Sequence, residues 1–140
     1  MGRILAIDYG SKRVGLAVSD PLRIIASGLE TVHSKDLMAY LDLYFMKETV
    51  DIIVVGEPKT LQNEKSDSAR FIEPFVRHLK SKFPNKTVVR YDERFTSAIA
   101  KQTILAGGLK KKDRQNKAMV DSISAIIILQ DYMQSISSVL

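Results

Sequence analysis

The sequence predicts a mixed α/β domain in which one five-stranded sheet carries helices on both faces. Three strand-like segments follow one another closely near the start, which leaves no room for helical crossovers and favours antiparallel neighbours. Segments with helical spacing then alternate with apolar runs, the order expected of parallel strands joined by helices. The chain has 140 residues, of which 45% are hydrophobic, so a single domain over residues 1–140 can bury a core of its own.

The first two strands are predicted from short apolar runs joined by a tight turn. Ile4–Ile7 is almost continuously apolar, which is typical of a strand covered on both faces. Val14–Val18 is the second run, and Gly10 gives the connecting turn its backbone freedom. A third strand is expected over Ile24–Val32.

Two helices and a buried strand are predicted next. Ser34 is expected to cap a helix with apolar residues at helical spacing. These residues are Leu37, Tyr40, Leu41, Tyr44 and Phe45. The run DIIVVGEP, halted by glycine and proline, predicts a buried parallel strand. The second helix should bury Ile72, Phe75, Val76 and Leu79. Pro74 inside it implies either a late helix start or a kink.

The last part of the chain adds a fifth strand and two more helices. The run KTVVRYDER predicts a strand that ends on acidic residues. Thr96 is expected to cap a helix that stops at Gly107. The final helix is predicted over Gln115–Met133, and because it is apolar almost all round from Ala118 to Leu129, it should be largely buried.

Composition restricts the classes of function. The chain has no cysteine, which excludes disulfides and thiolate metal sites. The amino terminus leads directly into a strand and no apolar run reaches membrane-spanning length, so a cytoplasmic protein without a membrane partner is expected. A net charge of +5 and a pI near 9.5 indicate an anionic partner, most often nucleic acid.

Carboxylates occur at three places where the pattern predicts burial or the rim of the sheet. Asp8 ends the first strand, Asp92 and Glu93 end the fifth, and Asp121 lies inside the final helix. An acid at a strand end is often a solvated turn residue or a helix cap. An ionised Asp121 on an apolar helix is costly unless it is paired or bound to metal. A structural salt bridge to a nearby lysine or arginine is the alternative at that position.

These acids could meet at one edge of the sheet. Functional sites in sheets with parallel strands gather beyond the carboxyl ends of the strands. Asp8 and Glu93 would lie there if their strands run parallel and close together, and a helix across that edge could bring in Asp121. Three carboxylates without His or Cys suit Mg²⁺ or Mn²⁺. Two such ions, about 3.5–4 Å apart, can activate water and stabilise the leaving oxygen in phosphodiester cleavage.

Four segments of the chain, in this order, resemble the YqgF (RuvX) family: DYGSKRVGLAVSD, VVGEP, DERFTS and KAMVDSISAIIILQDYM. The resemblance extends nearly from end to end. It implies the ribonuclease H-like fold of the Holliday-junction resolvases and places the acidic site on Asp8, Glu93 and Asp121. Asp92 is the alternate to Glu93, because neighbouring strand residues point to opposite faces.

The same resemblance implies a substrate. Family members are described as Holliday-junction resolvases and as nucleases that mature the 5′ end of pre-16S ribosomal RNA. The resemblance favours the ribosomal RNA role, with ribosomal particles as candidate partners, and branched DNA is the alternative substrate. Cleavage of two junction strands would need a symmetric homodimer; the sequence is compatible with a monomer or a homodimer.

Basic residues are expected to hold the nucleic acid backbone. Lys12 and Arg13 follow Asp8 closely enough to contact a phosphate beside the metals, and Arg94 follows Glu93 in the same way. Arginine suits bidentate phosphate contacts, and lysine acts as a looser point charge. A basic arm before the final helix would grip phosphates without reading sequence. The arm consists of Lys110, Lys111, Lys112, Arg114 and Lys117. Solvated turns and loops are the alternative for all of them.

Aromatic residues flank the acids. Tyr9, Tyr91 and Phe95 could stack on bases, with packing in the core as the alternative, especially for Phe95.

Two other classes of function are weighed against the nuclease. An actin-like or sugar-kinase-like nucleotide-binding domain also opens with an aspartate and a glycine-containing hairpin. The chain is too short for two such domains, however, and has no second glycine-rich phosphate loop. A non-catalytic RNA-binding or ribosome-assembly factor could use the same fold, because fold does not determine function.

Overall fold

The computed structural model describes residues 2–10, 12–57, 69–92 and 117–137, which form one sheet with helices on both faces. The strands are β1 (Arg3–Tyr9), β2 (Arg13–Ser19), β3 (Ala26–Gly28), β4 (Val32–His33), β5 (Val50–Glu57) and β6 (Thr87–Asp92). The helices are α1 (Leu37–Lys47), α2 (Ala69–Lys82) and α3 (Lys117–Ser137). The segment predicted as a helix from Thr96 to Gly107 lies outside the described residues.

The strand order is β3-β2-β1-β5-β6, and β4 also pairs with β2. β2 runs antiparallel to both β1 and β3. β5 runs parallel to both β1 and β6. The predicted antiparallel meander followed by two parallel strands is therefore confirmed. It places β1 at the centre of the sheet, hydrogen-bonded to a neighbour on each side.

Alternate residues of the strands fill two separate cores. Leu5 and Ile7 of β1 pack in the core that contains α1 and α2, whereas Ile4 and Ala6 pack against α3. All four side chains are fully buried, because β1 has helices above and below it. Burial of one such Leu or Ile side chain stabilises the fold by about 1.5–3 kcal/mol. We call the two sides of the sheet the α1–α2 face and the α3 face.

The apolar stripes predicted for the first two helices lie in the core. Leu37 and Leu41 of α1 are buried. Three aromatic residues of α1 pack partly buried against the same core, namely Tyr40, Tyr44 and Phe45. α2 buries the four predicted side chains, which are Ile72, Phe75, Val76 and Leu79. The helix continues on both sides of Pro74, so the alternative of a late helix start is wrong.

The predicted third strand, Ile24–Val32, is divided into β3 and β4, so the sheet formed by the described residues has six strands. Ala17 pairs with Gly28, and Val14 pairs with Val32. Two residues of β2 thus lie between these pairs, whereas three residues lie between them on the partner side. The extra residue interrupts the ladder in the manner of a β-bulge, which the sequence pattern did not reveal.

The start of α1 differs from the prediction. Ser34 does not cap the α-helix; it begins a 3-10 turn over Ser34–Asp36, and α1 starts only at Leu37. His33 lies at the N-cap of this turn, where its Nδ1 accepts a hydrogen bond from the backbone N–H of Lys35 at 3.2 Å. The capping acceptor is therefore the imidazole of His33 and not the predicted hydroxyl of Ser34.

α3 extends to Ser137, four residues beyond the predicted end. Ala125, Ile128 and Leu129 are buried against the sheet, whereas Ile126 and Ile127 are only partly buried. The described part of the helix is therefore more exposed than its composition predicts. Among the residues described, no helix has both the length and the apolar content to cross a lipid bilayer.

A hydrogen-bonded loop joins β2 to β3 at the edge opposite to the end of β1. Asp20 Oδ1 accepts hydrogen bonds from the backbone N–H groups of Ile24 at 2.7 Å and Ile25 at 2.8 Å. Arg23 has a left-handed φ of 59°, and its Nε donates to the carbonyl oxygen of Gly2 at 3.0 Å. The loop thereby ties β2 to the amino-terminal end of β1.

These hydrogen bonds predict a pH dependence of stability. The N–H of Ile25, followed by that of Ile24, lowers the pKa of Asp20 from its ordinary value of 3.8 against an opposing desolvation. A lowered folded-state pKa stabilises the fold above the unfolded pKa, and the contribution is lost as pH falls through the folded pKa. We expect the free energy of unfolding of the native chain to exceed that of Asp20→Asn at neutral pH. The difference should shrink below pH 3.8, as measured by urea unfolding. A difference independent of pH would contradict this assignment.

Candidate metal and nucleic-acid site

The carboxyl ends of three parallel strands meet at one edge of the sheet. Ile7 of β1 pairs with Val55 of β5, and Glu57 of β5 pairs with Asp92 of β6. Asp8 follows Ile7, so it lies at the same edge as the end of β6, with β5 between them. Two strand spacings amount to roughly 10 Å between backbones, a span that two carboxylate side chains can reduce by reaching towards each other.

Asp8 belongs to the α3 face of the sheet. It continues the alternation of Ile4 and Ala6, whose side chains pack against α3. Gly15 is its direct cross-strand partner on β2 and adds no side chain beside it. Asp8 itself is half-buried. The rest of β1 fixes the backbone position from which this carboxylate projects, because four consecutive residues before it are fully buried.

The alternation of β6 identifies which of its positions share a face with Asp8. Val89 and Tyr91 pack against the α3 core. Val88 packs against the opposite core, and Arg90 forms an ion pair with Glu73 of α2. The odd-numbered positions of β6 therefore lie on the α3 face. Glu93 lies outside the described residues, and so does the side chain of Asp92.

Position 121 has the helical spacing of the stripe of α3 that packs on the sheet. It precedes Ala125 by four residues and Ile128 by seven, and both of these are buried. Residues with this spacing occupy one side of an α-helix. The backbone position of Asp121 is therefore on the same side of the sheet as Asp8. The joining of Asp8, Glu93 and Asp121 into one site stays a prediction.

Within the described residues, no group of three or more His, Cys, Asp or Glu lies close enough to hold a metal ion. The described residues include Asp8 but neither Glu93 nor the side chain of Asp121. The predicted donor set consists of carboxylate oxygens alone, the ligands that Mg²⁺ and Mn²⁺ prefer, so the residues fit such an ion by their chemistry.

Only some of the predicted basic residues lie in the described part of the chain. Lys12 and Arg13 are exposed at the start of β2, at the same edge of the sheet as Asp8. Arg13 continues the alternation of Gly15 and Ala17, so it belongs to the α3 face. Lys117 is the first residue of α3, and nothing is described of its side chain. The other predicted contacts lie outside the described residues, namely Arg94, Lys110, Lys111, Lys112 and Arg114.

Two of the aromatic residues near the acids are packed within the fold. The Tyr9 ring stacks on Phe75 of α2, with centroids 4.2 Å apart and planes 15° from parallel, and burial raises the pKa of its hydroxyl. Tyr9 lies on the α1–α2 face, because it alternates with Asp8 along β1. Tyr91 packs in the α3 core. Packing therefore accounts for both rings, and Phe95 lies outside the described residues.

The turn between Asp8 and Arg13 depends on a close backbone approach. A Cβ atom added to Gly10 would lie 2.6 Å from the carbonyl oxygen of Arg13. Real Cβ atoms essentially never come so close, and this oxygen belongs to the backbone and cannot rotate away. The turn therefore requires glycine. Because this turn joins β1 to β2, it also determines where Lys12 and Arg13 lie relative to Asp8.

Gly10→Ala should destabilise the protein. Relief of the contact requires the turn to move, and overpacking of this kind costs about 1–3 kcal/mol. Urea unfolding followed by circular dichroism measures the change. Lys12→Ala, which shortens an exposed side chain in the same turn, is the matched control and should stay within about 0.5 kcal/mol of the native chain. Equal stability of Gly10→Ala and the native chain would contradict the close approach.

One residue at this edge was missed by the sequence analysis. His33 of β4 pairs directly with Arg13, and its side chain is exposed. A two-residue strand that follows a bulge has no signature in the hydrophobic pattern, so its partner could not be read from the sequence.

Comparison with known proteins gives a consistent result. A family model described as RuvX, Holliday junction resolvase, matches residues 2–135. A protein of Bacteroides thetaiotaomicron with the curated name "Putative pre-16S rRNA nuclease" is 56% identical over 135 residues, which cover 96% of this chain and 98% of that protein.

Two solved structures share the fold. The first is RuvC of T. thermophilus in complex with a Holliday junction substrate. It has a TM-score of 0.60 at 17% identity, over 98% of this chain and 96% of that one. The second is the fowlpox virus resolvase with Holliday junction DNA. It has a TM-score of 0.58 at 16% identity, over 96% of this chain and 98% of the other. The predicted resolvase-type fold is therefore confirmed.

Proposed function

Because the chain belongs to the RuvX family, we propose that it is a metal-dependent endonuclease that hydrolyses phosphodiester bonds in the 5′-end maturation of pre-16S ribosomal RNA. One observation carries the proposal: Asp8 lies at the carboxyl end of the central strand, on the sheet face covered by α3. The helical spacing of position 121 from the buried Ala125 and Ile128 supports a place on the same face. The name of the Bacteroides thetaiotaomicron relative supports the choice of substrate.

The acidic residues are assigned the binding of Mg²⁺ or Mn²⁺. Asp8, Glu93 and Asp121 would hold the cations, which supply activation of a water molecule and stabilisation of the leaving oxygen. If β6 kept its alternation for one more residue, Glu93 would share the α3 face with Val89 and Tyr91, which favours Glu93 over Asp92 as the ligand. The backbone that carries Asp8 does not need to be ordered on binding, because the buried residues of β1 already hold it.

The basic residues are assigned the positioning of the backbone. Arg13 lies on the same face and edge as Asp8, so its guanidinium is suited to hold a phosphate next to the scissile one. Lys12 adds a point charge at the same edge. The segment with Lys110, Lys111, Lys112, Arg114 and Lys117 would increase affinity for any phosphate backbone without selecting a sequence. Arg94, next to Glu93, completes the set.

The second candidate function is resolution of Holliday junctions. The description of the family model favours it. The two alternatives share the metal chemistry and differ in the substrate. The described residues at the edge of the sheet that carries Asp8 would therefore serve both functions. Junction resolution additionally requires a homodimer with two sites, whereas RNA cleavage does not.

Both functions can be tested with one purified protein. A 5′-extended fragment of 16S precursor RNA and a four-way DNA junction are each incubated with Mg²⁺, Mn²⁺ or EDTA. The proposal expects cleavage of the RNA with either metal and none in EDTA. Cleavage of the junction alone would establish the second candidate. Binding of RNA without cleavage under any condition would establish a non-catalytic assembly factor, and binding of ATP alone would establish a nucleotide-binding domain.

A cellular experiment tests the substrate. Depletion of the protein should cause 16S precursors with extended 5′ ends to accumulate, and a copy with Asp8→Asn should not restore processing. Normal 16S ends after depletion would contradict the ribosomal RNA role, even if the purified protein cleaves model substrates.

A further inference from the structure

Arg13 and His33 form a pair of basic side chains on the α3 face, at the edge of the sheet that carries Asp8. They are direct cross-strand partners in the β2–β4 ladder, and directly opposed residues project on the same side of a sheet. The neighbouring pair, Val14 and Val32, packs on the α1–α2 face. Arg13 and His33 therefore occupy the other face, and both are exposed.

Their distance from Asp8 suits a phosphate next to the scissile one. Asp8 pairs with Gly15, and Arg13 lies two residues further along β2. His33 lies one strand beyond Arg13. Two strand spacings across the sheet and two residues along it separate Asp8 from His33, which amounts to roughly 12 Å between Cα atoms.

The hydrogen bond to Lys35 defines the chemistry of the His33 ring. Nδ1 accepts from the backbone N–H of Lys35 at 3.2 Å, so Nδ1 carries no proton in this arrangement. The proton of the neutral ring is then on Nε2. The 3-10 turn thus fixes the ring and makes the exposed nitrogen a hydrogen-bond donor.

We propose that the His33 Nε2–H and the Arg13 guanidinium together bind a backbone phosphate of the substrate, next to the phosphate that is cleaved. This inference rests on the proposed nuclease function and adds a binding residue to it. The ligand group is the phosphodiester, which RNA and branched DNA share. Arg13 supplies charge and a bidentate contact, and His33 supplies one directed hydrogen bond from a ring that is already oriented.

The two residues should differ in the salt dependence of binding. Loss of a cation that neutralises one phosphate reduces the slope of log affinity against log salt by about 0.7 for a single strand. We expect Arg13→Ala to reduce the slope by this amount. Substitution of His33 at about pH 8 should weaken affinity and leave the slope unchanged, because the contact proposed for it is a hydrogen bond and not the neutralisation of a phosphate charge.

Two isosteric substitutions separate a phosphate contact from a structural role of His33. In His33→Asn the amide oxygen can replace Nδ1 as the acceptor for Lys35, but no donor reaches the position of Nε2. In His33→Gln the amide nitrogen can replace Nε2, but the bond to Lys35 is lost. A phosphate contact requires weak binding by the Asn variant and near-native binding by the Gln variant. A purely structural role requires the reverse.

The experiment measures fluorescence anisotropy in EDTA, so that no cleavage occurs, with a labelled single-stranded RNA and a labelled four-way DNA junction as separate probes. We expect His33→Asn to raise the Kd about tenfold, the effect of one lost hydrogen bond to a charged group. His33→Gln should stay within about twofold of the native Kd, and its Tm should fall by roughly 4 °C through loss of the cap. His78→Asn, at the other histidine of the chain, exposed on α2, is the matched control and should bind normally.

The outcomes are distinct. Weak binding by His33→Asn with near-native binding by His33→Gln supports the proposal, and the probe that shows it identifies the source of the phosphate. Native affinity of His33→Asn overturns it, and so does equal weakening in both variants. In either case the native chain still binds the probes, so the nuclease function survives. Failure of the native chain to bind either probe overturns both proposals.

Discussion

Asp8→Asn should abolish cleavage and leave the fold intact. The substitution keeps the shape of a side chain near the end of β1, whose residues 4–7 are fully buried, and removes the charge that would hold the cation. Metal ions stabilise charge in such transition states by several kcal/mol, so the initial rate on precursor RNA should fall by on the order of a thousandfold or more. Thermal unfolding should also show a metal-dependent rise of Tm in the native chain that is absent from the variant.

The control for this experiment is the same chemical change elsewhere in the molecule. Asp42 of α1 forms an ion pair with Lys82 at 2.7 Å, and both side chains are substantially exposed, so Asp42→Asn should affect stability by less than about 1 kcal/mol and leave the rate unchanged. Cleavage by Asp8→Asn at a tenth of the native rate or more would refute a direct role for Asp8 in metal binding.

Asp121→Asn should also abolish cleavage. The direction of its effect on the Tm distinguishes a metal site from a structural salt bridge. If Asp121 lies beside Asp8 and Glu93, the three carboxylates repel one another in the metal-free protein. Removal of one charge should then raise the Tm in EDTA or leave it unchanged, and the stabilisation by added Mn²⁺ should disappear. A structural salt bridge to a lysine or arginine predicts a lower Tm in EDTA, because a cation would lose its partner.

Asp131 provides a matched control on the same helix. It lies ten residues after Asp121 on α3 and is partly buried, so Asp131→Asn tests the loss of a carboxylate from this helix away from position 121. Its rate and its response to Mn²⁺ should equal those of the native chain. A lowered Tm for Asp121→Asn, together with native activity, would show that this residue has a structural role.

The central part of the fold was predictable because its signals are local. The apolar runs that became β1, β2 and β5 are nearly continuous, which indicates burial on both faces without knowledge of the neighbours. The helical spacing in α1 and α2 identified their buried side chains, including Leu41 and Leu79. The position of Asp8 at the end of the first strand follows from the same pattern. The sequence alone therefore predicted one of the acidic residues at this edge of the sheet.

Features that depend on individual hydrogen bonds were not predictable. The third strand was expected to begin at Ile24, but the Asp20 carboxylate binds the backbone N–H groups of Ile24 and Ile25 and keeps both residues in the loop. The extra residue between Gly28 and Val32 shortened the strand further. The first effect depends on the path of the loop and the second on the register of the strands. Neither of these can be read from the hydrophobic pattern.

The division of side chains between the two faces also required the structure. Alternation predicts that Asp8 and Tyr9 point in opposite directions, but it does not say which of them faces the final helix. The packing of Ala6 against α3 and of Tyr9 against Phe75 decides this question. For β6 the same information comes from Val89 and Tyr91, and it is the basis for preferring Glu93 to Asp92.

The central place of β1 has a consequence for the order in which the molecule loses structure. Amide protons in a strand that is bonded on both sides and fully covered exchange with solvent only when the whole domain opens. The backbone that carries Asp8 should therefore belong to the slowest-exchanging group. Denaturant should then release the backbone of Asp8 only when the whole domain unfolds.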